Sequence, residues 1–186
     1  YGAGPTISSV SPNVGPTTGG TAITITGTNL TGTSSVSVGG NAATSVVVVN
    51  ATTVTAVTPS GAAGAANVSL TTPYGSPTAS GAFTYPATPT ISSVSPNTGN
   101  VSGGTAITIT GTNLTGTSSV TIDGVAATSV SVVSSTTVTA VTPAGTIGAK
   151  TVSVTTPGGT ANLTSGFTYG AGPTISSVSP NVGPTS

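Results

Sequence analysis

Two side chains in this sequence carry a formal charge, Asp123 and Lys150, and there is no histidine and no cysteine. General acid–base catalysis needs a titratable group near the working pH, most often a histidine or a tuned carboxylate. Asp123 is the one acid, whereas glycoside hydrolysis takes a pair of carboxylates. Serines are plentiful, but a serine nucleophile needs a base beside it, and Lys150 is the one candidate. In the matching positions 84 residues earlier stand Gly39 and Ala66, so neither charge recurs. The expectation is a chain that is not an enzyme, with no catalytic, cofactor-binding or metal-ligating residue and no cofactor. Asp123 reads as a hairpin-turn residue and Lys150 as a solvated residue at the start of a strand. The sharper alternative is a Lys–Asn isopeptide crosslink, with Asp123 assisting.

The same scarcity excludes other classes. A calcium site takes several oxygen ligands, usually clustered carboxylates. Nucleic-acid binding needs cationic contacts to phosphate, which a single lysine does not supply. Charged residues make up 1% of the chain, against roughly 25% in an ordinary soluble domain. The polar surface must therefore be Ser, Thr, Asn and Gly. A surface of this kind has almost no like-charge repulsion, which favours association. With 34% hydrophobic residues the chain still supports packed domains.

Six asparagines sit in Asn-x-Ser/Thr sequons and are candidate glycan attachment sites: Asn29, Asn50, Asn67, Asn100, Asn113 and Asn162. Asn29 and Asn113 also read simply as turn residues. Tyr74 is the one aromatic that falls outside the repeated closing positions. It lies in Thr72-Pro73-Tyr74-Gly75, a loop, and is a candidate contact residue for a sugar or a neighbouring chain. The repeated tyrosines Tyr85 and Tyr169 are expected to plug the joint between domains.

The element that positions all of these is a repeat. Gly19-Gly20-Thr21-Ala22-Ile23-Thr24-Ile25-Thr26-Gly27-Thr28-Asn29-Leu30 returns letter for letter from Gly103 to Leu114. Ile23 and Ile25 point one way and Thr24 and Thr26 the other, the alternation of a half-buried strand. Pro5-Thr6-Ile7-Ser8-Ser9-Val10-Ser11-Pro12 recurs at Pro89 and begins again at Pro173, a period of 84 residues. Each unit closes on Phe-Thr-Tyr. The expected division is 1–4 (end of a preceding repeat and link), 5–85 (first sandwich), 86–88 (link), 89–169 (second sandwich), 170–172 (link) and 173–186 (first strand of a third repeat). The end points read as a window cut from a longer array.

Within a unit, short strands are expected at 7–10, 21–26, 35–38, 45–49, 53–58, 67–72 and 82–85, with turn signals between them. That is the pattern of an all-β sandwich. Gly39-Gly40, and Asp123-Gly124 in the second unit, mark a hairpin, because both central positions tolerate positive φ. The expected core is Ile7, Val10, Ile23, Ile25, Leu30, Val36, Val38, Val46, Val48, Val54, Val68, Leu70 and Phe83, with their counterparts. Its side chains are small, and burial contributes roughly 25 cal/mol per Å², so one unit alone is expected to be modestly stable. Links of three residues span about 10 Å and imply domains placed end to end. Pro86-Ala87-Thr88 should be the stiffer link and Gly170-Ala171-Gly172 the looser one. A period this long argues against a short-coil solenoid with an ice-binding threonine ladder.

These residues resemble the IPT/TIG domains (immunoglobulin-like, plexins, transcription factors). The resemblance runs from Pro5-Thr6-Ile7-Ser8-Ser9-Val10-Ser11-Pro12 and Gly19-Gly20-Thr21 through Val36-Ser37-Val38-Gly39-Gly40 and Val54-Thr55-Ala56-Val57-Thr58-Pro59 to Phe83-Thr84-Tyr85. Thr155-Thr156-Pro157-Gly158-Gly159-Thr160 lies closer still to the family pattern. It implies tandem immunoglobulin-like β-sandwiches. Members of the family occur in cell-surface receptors, in transcription factors, beside starch-degrading enzymes and as tandem arrays in secreted bacterial proteins. Near-identical tandem copies look most like the last. The gapless repeat, the short links and the nearly chargeless surface point to a structural segment of an extracellular or cell-surface rod or filament, associating with copies of itself through Ser/Thr-rich surfaces. No nucleic-acid partner and no membrane insertion are implied. The alternatives are an adhesin stalk or carbohydrate-binding array contacting cell-surface or matrix glycans, and an accessory module of an extracellular hydrolase.

Overall fold

The computed structural model describes residues 3–173 and 175–179. Its regular elements are strands, in two sandwiches built to one plan. The first holds β1 (Thr6–Ser11), β2 (Ala22–Thr28), β3 (Ser35–Val38), β4 (Asn41–Ala42), β5 (Thr44–Asn50), β6 (Thr53–Val57), β7 (Gly64–Thr71) and β8 (Thr78–Tyr85). One sheet runs β1-β2-β6-β5 and the other β4-β3-β7-β8. All pairs within these sheets are antiparallel, as in β2 on β6 with Ile25 opposite Val54. Val14 adds a single parallel bridge to Thr84.

The second sandwich holds β9 (Thr90–Ser95), β10 (Thr98–Asn100), β11 (Ala106–Thr112), β12 (Ser119–Ile122), β13 (Val125–Ala126), β14 (Thr128–Ser134), β15 (Thr137–Val141), β16 (Gly148–Thr156) and β17 (Gly159–Gly170). Its sheets are β14-β15-β11-β9 and β10-β17-β16-β12-β13. The parallel bridge of the first sandwich becomes the short parallel strand β10 here, pairing Thr98 with Thr168. That segment was expected to be loop. It forms a strand because Asn97 and Gly170 offer backbone carbonyls that bond the amides of Thr168 and Val101.

The alternation reading of the organising stretch holds residue by residue. Ile23 and Ile25 are buried, and Ala22, Thr24, Thr26 and Thr28 are exposed. Each sandwich has its own core, with Phe83 and Phe167 at the centres. Ile7, Val10, Val46 and Val48 only half-bury and pack at the rim of the first core. Val132, the counterpart of Val48, is exposed. Strand pairing does not distinguish the two, since the ladder shifts after Val48 as it does after Val132.

Tyr85 and Tyr169 do not plug a joint. Each lies inside its own sandwich, 1% and 2% exposed, with its ring edge-on to Phe83 or Phe167 at a centroid distance of 5.0 Å. Pairing of β8 with β7 sets Tyr85 opposite Gly64, which turns the ring inward although the residue ends the unit in sequence.

Of the expected first strand of a third repeat, residues 174 and 180–186 lie outside the described residues. Residues 175–179 form no strand, and Ile175 and Val178 are exposed.

Candidate functional site

Asp123 occupies the hairpin between β12 and β13 at φ 54, followed by Gly124 at φ 82. These are the two left-handed positions of a type I′ turn, as the Asp-Gly pair implies. Gly39 and Gly40 take the same conformation at φ 61 and 85. Lys150 departs from expectation. It is not a solvated strand start: its side chain is 15% exposed, and its Nζ lies 3.1 Å from Asp123 Oδ2. The ammonium also donates to Thr146 Oγ1 at 2.8 Å. Burying much of a long cationic side chain while its ammonium keeps polar partners is a usual compromise. The hydrogen-bond partners of Lys150 include no asparagine. A sequence signal for this pair existed, since Asp123 and Lys150 occur in the same unit and are replaced together in the other.

The asparagines divide by what their amides do. Asn29 and Asn113 take left-handed backbone conformations, φ 56 and 55. Asn29 Nδ2 donates to the carbonyl of Ala3 at 2.8 Å and to that of Gly4 at 3.3 Å. Asn113 Nδ2 donates to the carbonyl of Thr88 at 2.9 Å. Both side chains therefore hold the link that enters their own sandwich. Asn50 and Asn100 fold back locally. Asn50 Oδ1 accepts from the amide and the hydroxyl of Thr52, and Asn100 Oδ1 from those of Ser102. Asn67 Oδ1 accepts from the amide of Gly81 at 2.9 Å. Asn162 stands exposed on β17 opposite Ser153.

Tyr74 is 77% exposed at the tip of the β7–β8 turn. The turn is closed by bonds between Thr72 and Gly75, and Thr72 Oγ1 also accepts from the amide of Tyr74. The counterpart position carries Gly158, which is buried rather than exposed. A Cβ on Gly158 would stand 2.1 Å from the carbonyl oxygen of Ala87. In the second sandwich, then, the link Pro86-Ala87-Thr88 lies on the turn and excludes any side chain there. Sequence alone does not give this contact, because link and turn lie some seventy residues apart in the chain.

Buried polar groups are structural and satisfied. Thr58 Oγ1 accepts from the amide of Thr21 and Thr142 Oγ1 from that of Thr105, each at 3.1 Å. Tyr85 Oη donates to the carbonyl of Pro59 at 2.7 Å, and Tyr169 Oη does the same to Pro143. Burial pushes both phenols above their ordinary pKa, against a smaller downward pull from the hydroxyls of Thr58 and Thr142. Among the described residues no group of three or more His, Cys, Asp or Glu gathers to hold a metal ion. Nor is any helix long and apolar enough to cross a membrane.

Sheet order, the repeated strand plan and the inward tyrosines define a pair of tandem immunoglobulin-like sandwiches. The family model described as IPT/TIG domain matches residues 5–85 and again residues 89–169. The chain belongs to that family. Among solved structures, it is similar to the extracellular region of plexin A4. The form with domains 1 to 10 is 27% identical with a TM-score of 0.58, covering 95% of this chain and 16% of that one. The form with domains 1 to 8 is 27% identical with a TM-score of 0.55, covering 89% and 18%. SGBP-B from a xyloglucan utilization locus in Bacteroides uniformis is 22% identical with a TM-score of 0.43, covering 90% of this chain and 50% of that one. The chain thus spans half or less of these structures. No curated protein is significantly similar to it in sequence.

Proposed function

We propose that the chain is a structural segment of an extracellular or cell-surface tandem array, and that it associates with copies of itself. The observation that carries this reading is the character of its free sheet edges. β5 and β14 each end a sheet. They expose Val47 and Val49 in one sandwich and Val132 and Val133 in the other. Neither strand contains a charge or a proline, the devices that usually keep edges from pairing. The bulges on both strands are the one safeguard present. With one cation and one anion in the whole chain, nothing in the surface repels a second copy at long range.

The short links support end-to-end placement of the sandwiches, and the bonds from Asn29 and Asn113 support a fixed entry into each. The extracellular setting draws on the plexin A4 structures, whose described parts are extracellular regions. No nucleic-acid partner, membrane insertion or cofactor belongs to the proposal. The exposed Tyr74 favours a second reading, an adhesin stalk whose turn tips touch a partner. Electron microscopy of native material tests the first reading. Fibres or sheets with a repeat matching tandem sandwiches are expected, and dispersed single particles would contradict it.

A further inference from the structure

The two sandwiches share a backbone plan but differ at one edge. In the second, Lys150 on β16 has its ammonium held by Asp123 and Thr146. In the first, all three partners are cut back, to Ala66, Gly39 and Ala62. Ile147 likewise becomes Ala63 and Val125 becomes Asn41. The result is an open groove of about 570 Å³ between the β3–β4 turn, the 61–63 loop and the outer side of β7. That size suits a small ligand, for which pockets run to roughly 300–1,000 Å³.

The lining sets the ligand class. Asn41, Asn67, Ser69 and Thr78 contribute amides and hydroxyls, and Gly39, Gly40 and the alanines form a low floor. No charged residue lines it, so an ionic ligand finds no counter-charge. The one aromatic is Tyr85, whose hydroxyl is already committed to Pro59. Asn67 uses its Oδ1 on Gly81 and Asn41 its Nδ2 on Ser60. The remaining amide atoms, Asn67 Nδ2 and Asn41 Oδ1, have no protein partner among the described residues. One offers donors and the other an acceptor, the combination that a sugar hydroxyl satisfies.

We propose that this groove of the first sandwich binds a neutral, hydroxyl-rich ligand of the saccharide class, and that the second sandwich has the same site closed by its own lysine. The proposal stands apart from self-association and does not require it.

The test transfers the natural filling. In the full chain, Gly39→Asp, Ala62→Thr and Ala66→Lys together install the residues of the second sandwich. The fold should survive, because Asp123 occupies the same turn at φ 54. Two-dimensional NMR follows the amides of 39–41 and 61–69 while a neutral glucose hexasaccharide, α-1,4 or β-1,4 linked, is added. Saturable shifts confined to that groove with at least one sugar, and lost in the triple variant, are expected. Lack of saturable shifts with both sugars would overturn the proposal. So would shifts of equal size on the second sandwich, or shifts that persist in the folded variant. Thermal unfolding of the variant alone checks that loss of shifts is not loss of fold.

Discussion

The hydroxyl of Tyr85 donates to the carbonyl of Pro59 at 2.7 Å, tying the last strand of the first sandwich to the loop after β6. Tyr85→Phe removes the donor and leaves that carbonyl without it. A loss of about 1–3 kcal/mol is expected for an acceptor so stranded, confined to the first sandwich. Denaturant unfolding with a probe in each sandwich measures it. Burial of the same phenol gives a pH dependence. Burial raises the folded pKa of Tyr85, so the unfolded chain gives up this proton first. The stabilising contribution is complete below the ordinary phenol value of about 10 and is lost as the pH rises through the folded value. Tyr169 behaves alike. Unfolding midpoints should fall in alkali, and less steeply in the Tyr85→Phe variant.

Asn113 is predicted to act as an anchor. Asn113→Gly keeps the left-handed backbone but loses the bond to Thr88, at about 0.5–1.5 kcal/mol. Asn113→Ala adds the left-handed penalty of roughly 1–2 kcal/mol. Denaturant unfolding with a probe in the second sandwich should show both losses, the larger in Asn113→Ala. Stabilities unchanged in both variants would show that the link is held by other contacts.

Gly158 is predicted to resist substitution where Tyr74 does not. Gly158→Ala forces a Cβ into the Ala87 carbonyl, and overpacking of this kind costs about 1–3 kcal/mol. Tyr74→Gly, at an exposed turn tip, should change stability by no more than about 0.5 kcal/mol. Thermal unfolding of the two variants compares them directly.

The Asp123–Lys150 pair is predicted to be non-covalent and weak. Asp123 is 59% exposed, so Asp123→Asn should cost less than about 1 kcal/mol. The intact mass should equal that of the sequence, and a mass lower by one ammonia would support a Lys–Asn isopeptide bond instead.

Much of this fold was legible because period-2 patterning is local. Ile23 and Ile25, Val36 and Val38, and Val68 and Leu70 each announce an inward face, and the turn pairs Gly39-Gly40 and Asp123-Gly124 fix the hairpins. What was not legible depends on distant partners. Tyr85 looks like a joint residue until β8 pairs with β7 and swings its ring inward. Thr58 ends an expected strand with nothing in the sequence to show its partner, yet it is buried with its hydroxyl accepting from the Thr21 amide. The groove beside Ala66 appears only on comparing the sandwiches, where Lys150 shows what the missing side chain would have filled.

The claim that neutral edges hold copies together is tested most directly by sedimentation velocity of the full chain over a concentration series at low and high salt. The account predicts that larger species grow with concentration to the same extent at both salts, since hydroxyls and valines rather than ion pairs make the contact. A chain that stays monomeric throughout, or association that vanishes in high salt, would contradict it.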